Sequence, residues 1–437
     1  MKILESVHEH DREFFVKTVS PLPRAIVNGL LRQYKKFPDR FSANTFLRES
    51  VKEIERHLPN GFSGIELKCS EDNLRNKSGR HAESCLRLFH LSKSVTEINP
   101  EKPLMELTNL PEFPLRKIRS GNSDSIDTLK RRYETVSSFA KTIGVIPPKP
   151  KTSVKQNDES IRRRYLAAIK RMCDKYWWLK ALRKALNQKL ESATHAANMV
   201  NRRAGLYASD LSVNRRKAQR ERNQKILESL QATNENGDSF SLAELSDRNV
   251  SNPKVRRAEL MVRIRGMENY ANKAGLKGVL LTFTCPSKYH RSHSATGEPN
   301  AKWGGYTPLH GQNYLNNNWE CIRAAFQRSN IHPIGMRVAE PQHDGTPHWH
   351  MLLFIASDRV TDAVDICRRY AMEEDGNEAG ADKYRFDVLK VDPKKGSATG
   401  YIAKYISKNI DGSNLDKGTY GEDPIIAAQR VDTWRSV

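Results

Sequence analysis

The sequence predicts an α+β protein: an antiparallel sheet domain of split βαβ, ferredoxin-like plan toward the C-terminus, preceded by largely α-helical, basic regions. Three observations carry this. Between residues 278 and 412, strand-like and helix-like stretches follow one another in the order β-α-β-β-α-β-α. Inside that run, residues 335–355 read GMRVAEPQHDGTPHWHMLLFI, two apolar stretches around Asp344-Gly345, a hairpin signal. Upstream, apolar residues recur at steps of three and four while Lys and Arg crowd the remaining positions, the pattern of amphipathic helices with basic faces. The expected divisions are a mostly helical region of unassigned role (1–150), a basic helical region (151–275), the sheet domain (276–412) and the start of a further helical segment (413–437).

Composition agrees with more than one folded unit. A chain of 437 residues exceeds one typical domain. Apolar residues make up 38%, enough for real cores, while a mean hydropathy of -0.69 implies much solvated helix. The 73 Lys and Arg against 51 Asp and Glu leave a net charge of +22. Such a surplus favours polyanions, nucleic acid first, although a basic surface also serves solubility alone. No apolar run approaches the roughly 20 residues that span a bilayer. The opening MKILESVHEHDREFF is acidic where a signal peptide has a basic head and an apolar middle. The expectation is a soluble, cytoplasmic protein with no membrane partner. The six cysteines are scattered without a C-x-x-C pair, which argues for buried reduced thiols rather than a zinc ribbon or a disulfide framework.

Taken in order, PLPRAIVNGLLRQYKKF (21–37) predicts a Pro-started helix and SANTFLRESVKEIERHL (42–58) a second one, capped by Ser or Asn. Proline loops fall at PEFP (111–114) and IPPKPK (146–151). From Ser160 to about Asn201 one apolar stripe is expected through Tyr165, Ile169, Met172, Tyr176, Leu179, Leu182, Leu186 and Leu190. Arg162, Arg163, Arg164, Lys189 and other bases occupy its remaining faces, and Arg215 and Arg216 continue the charge within NRRKAQRERNQK. As a cluster these bases are expected to contact phosphates and release counterions; any one of them alone reads as solvated helix surface. TNENGDSFS (233–241) reads as a polar loop. Residues 252–278 read as a helix with Leu260, Ile264, Met267, Ala271 and Ala274 on one face, stopped by Gly275. GVLLTFTCP is a buried-type strand, 315–326 a helix, 357–375 a crossover helix, YRFDVLKV an alternating strand and GYIAKYISKN a closing helix. A last helix starts at Asp423-Pro424. No stop signal precedes Val437, which suggests a longer parent protein.

The hairpin offers metal ligands. His348 and His350 are two apart on a strand, so both imidazoles leave one face of the sheet. Glu340 and Gln342 share a face across the turn, and an even pairing register puts all four together. Glu340 is the preferred third ligand and Gln342 the second choice, with His343 a loop residue. Such a set suits Mg²⁺ or Mn²⁺, with zinc as an alternative. An isolated H-x-H pair, however, often serves only internal hydrogen bonds.

In the closing helix, Tyr401 and Tyr405 stand one turn apart on one face, and Lys404 and Lys408 form an adjacent stripe. A tyrosyl oxygen can attack a phosphodiester, and a lysine ammonium can stabilise the charge that develops. Tyrosines at this spacing also commonly pack a helix onto a sheet.

Together LTFTCPSKYH (281–290), GMRVAEPQHDGTPHWHMLLF (335–354) and GYIAKYISKNIDG (400–412) resemble the HUH endonucleases, and more closely the phage replication gene A protein family of tailed phages and prophages. Gln342 departs from the family pattern, where histidine is expected, and that puts the third ligand in question. The resemblance implies a metal-assisted nick in one strand of a replication origin. Tyr401 or Tyr405 would be joined to the 5′ end, and the freed 3′-OH would prime rolling-circle synthesis. The implied partners are single-stranded origin DNA and a host helicase and DNA polymerase, which fits the lack of a G-x-x-x-x-G-K-[ST] loop. Relaxases and transposases of the same chemistry, and a non-catalytic nucleic-acid-binding protein, are the rival readings. A histidine-triad hydrolase would need a further histidine where Leu352 stands.

Overall fold

The computed structural model describes residues 7–58, 60–91, 125–150, 157–392, 394 and 396–437; the proline loop expected at 111–114 lies outside them. The chain forms two compact units, 1–193 and 194–437.

The first unit is helical: α1 (Arg12–Val19), α2 (Arg24–Tyr34), α3 (Arg40–His57), α4 (Glu71–Leu91), α5 (Ile126–Thr142), α6 (Asp158–Met172) and most of α7 (Lys175–Ala196). Its core holds Phe15, Ile26, Leu47, Ile54, Leu74, Leu129, Ile169 and Trp178, all essentially inaccessible. The cap of α3 is Asp39, whose carboxylate accepts from Ser42 N–H, rather than the Ser or Asn expected further along. The single stripe expected from Ser160 onward is broken in two. Asp174 accepts from the N–H groups of Tyr176 and Trp177 and starts a new helix, which shifts the phase. As a result Trp178 is buried while Tyr176 is 70% exposed. Lys189, expected on a solvated face, is buried instead and donates to the Ser63 and Ile65 carbonyls at 2.7 and 3.1 Å.

The second unit continues with α8 (Asp210–Ser229), and the loop expected at 233–241 is the turn and second strand of a small hairpin, β1 (Gln231–Thr233) and β2 (Ser239–Ser241). Next come α9 (Leu242–Asp247) and α10 (Pro253–Lys273), which ends at Gly275 with φ +68° as its left-handed stop. The sheet domain follows: β3 (Leu276–Thr284), α11 (Pro308–Arg328), β4 (Ile334–Pro341), β5 (Pro347–Ala356), α12 (Val360–Ala371), the short α13 (Ala381–Tyr384), β6 (Phe386–Lys390) and α14 (Ala398–Ile410). α15 (Pro424–Ser436) starts as expected, with the Asp423 carboxylate accepting from Ile425 and Ile426 N–H.

The four strands are antiparallel in the order β4-β5-β3-β6. Side chains alternate across this sheet. One face sends Val279, Leu281, Phe283, Trp349, Met351, Leu353 and Phe386 into a core with α11 and α12. The other sends Leu280, Leu352 and Phe354 against α10 and α14. The cysteines are all free thiols; Cys69, Cys85, Cys285 and Cys367 are buried as expected, but Cys173 is half-buried and Cys321 exposed. Among the described residues no helix is long and apolar enough to cross a membrane.

Candidate active site

The α14 face of the sheet has an apolar half and a polar half. Beneath Ala398, Ile402, Ile406 and Ile410 it is apolar. Toward the C-terminal end of β3 it carries Thr282, Thr284, Glu340, His348, His350 and Asp387, because residues paired directly across antiparallel strands share a face. Trp349, between the two histidines, goes into the opposite core.

The pairing register is the even one, with Glu340 opposite His348. Glu340 Oε2 lies 3.5 Å from His350 Nε2 and 3.8 Å from His348 Nε2, and the two Nε2 atoms are 2.9 Å apart. A small divalent ion in octahedral geometry needs ligand atoms roughly 3 Å apart, so this donor set fits one. Burial raises the Glu340 pKa against the pull of His348, Lys408, Lys404 and the Asn409 amide. Burial lowers both imidazoles to about 3; His350 adds to the effect at His348, and Lys408 and Lys404 add to it at His350. Both rings are therefore neutral near pH 7, the form that offers a lone pair to a cation. Thr282 Oγ1 sits 3.1 Å from His350 Nδ1 and holds the far side of that ring. Gln342 lies past the end of β4, in the hairpin turn, where its N–H donates to the Thr346 carbonyl at 2.8 Å. His343 is a turn residue, as expected, and is buried.

The tyrosine helix is held at both ends. Ser397 caps it by accepting from Gly400 N–H. The buried Glu268 carboxylate of α10 accepts from Ala398 N–H at 2.6 Å, Thr399 N–H at 3.3 Å and Thr399 Oγ1–H at 2.6 Å. At the other end Arg257 of α10 donates to Asp411 at 2.9 Å. Asn409 donates from Nδ2 to Glu340 Oε1 at 2.9 Å and to the Tyr405 carbonyl at 2.8 Å, which ties the helix to the carboxylate.

Tyr405 stacks on His350, with ring centroids 3.7 Å apart and planes 20° from parallel. Lys404 Nζ lies 4.8 Å and Lys408 Nζ 5.7 Å from the Tyr405 ring centre, and Lys408 also donates to Thr419 Oγ1. Burial raises the Tyr405 pKa, with Glu340 and Asp387 adding to it. Tyr401, one turn earlier, is half-buried against the apolar cluster under α14.

The structure thus brings together His348, His350, Glu340, Tyr405, Lys404 and Lys408. Arg162, Arg163 and Arg164 lie on α6 in the first unit, with Arg163 and Arg164 exposed. Arg215 and Arg216 lie on α8 in the second, where Arg216 pairs with Asp432 of α15 at 3.0 Å and is joined there by Arg220. Three contributors were not singled out from sequence. Glu268 intrudes on the apolar face of α10, four residues after Ile264, and Asn409 continues the Tyr401–Tyr405 face by one turn; both signals were present. The sequence pattern marks Asp344 only as a turn residue. It is a fully buried carboxylate that accepts from Arg291 and Thr346 N–H and faces His290 Nδ1 at 3.3 Å. Burial alone would raise its pKa, yet His290, His343 and His195 hold it well below the usual range.

The profile of the bacteriophage replication gene A protein family matches residues 107–413. The "Replication gene A protein" of Escherichia phage 186 is 40% identical over 341 residues, covering 75% of this chain and 48% of that protein. "Probable replication protein P12" of Pseudoalteromonas phage PM2 is 36% identical over 383 residues, covering 87% of this chain and 56% of that one. A protein of Salmonella paratyphi A named "Probable replication endonuclease from prophage-like region" is 33% identical over 322 residues, covering 71% and 40%. The chain spans about half the length of these curated relatives. No solved structure matches it.

Proposed function

Since the chain belongs to the bacteriophage replication gene A protein family, we propose that it is a replication endonuclease of the HUH type, which nicks one strand of a replication origin through a tyrosine nucleophile. The observation that carries this reading is the stack of Tyr405 on His350, which sets a phenol beside a three-donor cluster fit for a metal. The antiparallel order β4-β5-β3-β6 supports the ferredoxin-like plan on which such a site would be built.

In this mechanism Glu340, His348 and His350 would hold Mg²⁺ or Mn²⁺, which would supply Lewis-acid polarisation of the scissile phosphate. Asn409 keeps one Glu340 oxygen occupied, so the other stays turned to the imidazoles. The tyrosyl Oη of Tyr405 or Tyr401 forms a bond to phosphorus as the P–O3′ bond breaks. The tyrosine proton leaves to solvent, and the 3′-oxygen takes up a proton and departs as a 3′-OH. Lys404 and Lys408 stabilise the developing charge. The product is a 5′-phosphotyrosine link that conserves the bond for a later transfer to the second tyrosine, while the 3′-OH primes rolling-circle synthesis by a host polymerase and helicase. Arg162, Arg163, Arg164 and Arg215 serve phosphate contacts, with Arg216 sharing its charge with Asp432. This activity is placed in the bacterial cytoplasm, on the nucleoid.

The test is a denaturing gel for covalent protein–DNA adducts, with single-stranded DNA of the parent replicon and Mn²⁺ or EDTA. Wild type should give an adduct that needs the metal. Tyr401→Phe/Tyr405→Phe should give none, and His348→Ala should lose cleavage while keeping salt-sensitive binding. Folded wild type that binds this DNA yet forms no adduct on any strand returns the chain to a binding role.

A further inference from the structure

Beside the candidate metal cluster lies an open cleft of about 670 Å³, within the size range of small-ligand sites. Its wall includes Thr284, Gln342, His293, Lys302 and Tyr384. Two of these connect it to the nuclease centre. Thr284 pairs with His348 across the sheet, and Gln342 is two residues beyond Glu340 at the start of the hairpin turn.

We propose that this cleft takes a nucleobase of the strand next to the scissile phosphate, and that the Gln342 amide reads its edge; the inference rests on the nuclease reading above. Gln342 is held firmly by its backbone, whose N–H donates to Thr346 O and whose carbonyl accepts from Gly345 N–H. Its side-chain amide has no hydrogen-bond partner among the described residues, so a donor and an acceptor are left unclaimed at a position that lines the cleft. Several neighbouring polar groups are already engaged, although Ser292 Oγ and His343 Nδ1 are buried there without a partner among the described residues. The Asn300 amide donates to the Ser287 and His290 carbonyls and accepts from Lys302 N–H. His290 faces Asp344, and Arg385 is paired with Glu378. An amide presents the donor–acceptor pair that glutamine uses to read adenine. At the rim, Tyr384 is 66% exposed and offers a ring for stacking, and Lys302 adds a positive charge without an ion-pair partner among the described residues. Base stacking on an aromatic ring and a cation for the backbone are the usual components of single-strand recognition.

The test uses the full chain and a single-stranded oligonucleotide of the parent replicon, with the nick first mapped from the 5′ end left on the protein. Each nucleotide around the nick is replaced in turn by an abasic residue and by the other bases. Adduct formation is measured for wild type, Gln342→Ala and Tyr384→Ala. At one flanking position wild type should lose about ten-fold on abasic replacement, which converts to about 1.4 kcal/mol. Gln342→Ala should lose a similar factor on the intact strand and little more on the abasic one, because the two changes remove one interaction. Equal abasic losses in wild type and variant at every position overturn the base pocket. A Gln342→Ala defect cured by raised Mn²⁺ also overturns it, by putting the amide on the metal. If wild type forms no adduct at all, the nuclease reading has failed by itself. The same strands are then compared by fluorescence anisotropy without metal, where loss of the position dependence again overturns the pocket. Should Gln342→Ala fold poorly, Gln342→Glu keeps the shape, removes the donor and should shift the preferred base.

Discussion

Glu268→Gln tests whether α10 holds the tyrosine helix. The carboxylate is 7% exposed and accepts three hydrogen bonds from the first turn of α14. Glutamine keeps one acceptor oxygen but turns an NH₂ group toward N–H donors, so at least one buried donor goes unsatisfied. That costs about 1–3 kcal/mol. Loss of the negative charge at a helix N-terminus adds roughly 0.3–1 kcal/mol. A total of about 1.3–4 kcal/mol is expected, which in a unit of this size shifts the melting temperature by roughly 3–16 °C. The effect should depend on pH. Burial pushes the Glu268 pKa up, but Thr399, the Ala398 N–H and Arg265 outweigh it and hold the group below its ordinary 4.5. A carboxylate depressed in the folded state contributes stability above its unfolded pKa and loses it as pH falls through the folded one. The gap between wild type and Glu268→Gln, measured by calorimetry, should thus be full near neutral pH and close in acid. The adduct rate should fall with little change in the substrate concentration needed for half-maximal rate, and Glu268→Asp should restore part of it. A variant within about 0.5 kcal/mol of wild type at neutral pH, or a gap that widens in acid, would refute the reasoning.

Asn409→Ala removes the donor that holds Glu340 Oε1; Mn²⁺ affinity, followed by calorimetric titration, should weaken about 10–100-fold, as for other partners of metal ligands. Because Tyr405 and not Tyr401 stacks on His350, Tyr405→Phe should lower first-strand adduct formation about ten-fold or more, against a smaller loss for Tyr401→Phe; equal losses on the gel would show that the stack does not choose the nucleophile. Reversing Arg162, Arg163 and Arg164 to Glu should reduce the slope of log affinity against log salt by roughly one per lost phosphate contact, and an unchanged slope would return them to the solvated surface.

What could be read from sequence was whatever depends on local period. Alternation through PHWHMLLFI put His348 and His350 on one face, the Asp344-Gly345 turn set the hairpin, and four-residue spacing joined Tyr401 to Tyr405; each of these placements is found. What could not be read depends on contacts between distant residues. Glu268 meets Thr399 across 131 positions and Asn409 meets Glu340 across 69, and no local pattern announces either partner. The helix break at Asp174 failed for a different reason: the apolar steps run through it, and only the cap restarts the phase. Lys189 looked solvated because lysine usually is, whereas here two backbone carbonyls pair its ammonium.

The apolar half of the sheet face explains why the polar half works as a unit. Ile402, Ile406 and Ile410 repeat every four residues and pack over Leu280, Leu352 and Phe354. Tyr401, Tyr405 and Asn409 each precede one of these isoleucines by one position, so they lie along the edge of the buried stripe, toward His350 and Glu340. A slip of β5 by one residue would send both histidines into the α11–α12 core and bring Trp349 onto the polar end. Hydrophobic register in the strand and in the helix therefore fixes where the donors and the phenol meet, and α10 fixes how far α14 can slide along them through Glu268 and Arg257. In the proposed reaction the metal would bind donors already gathered and the tyrosine would only have to meet a phosphate, so the packing of α10 against α14 would set the geometry of that reaction.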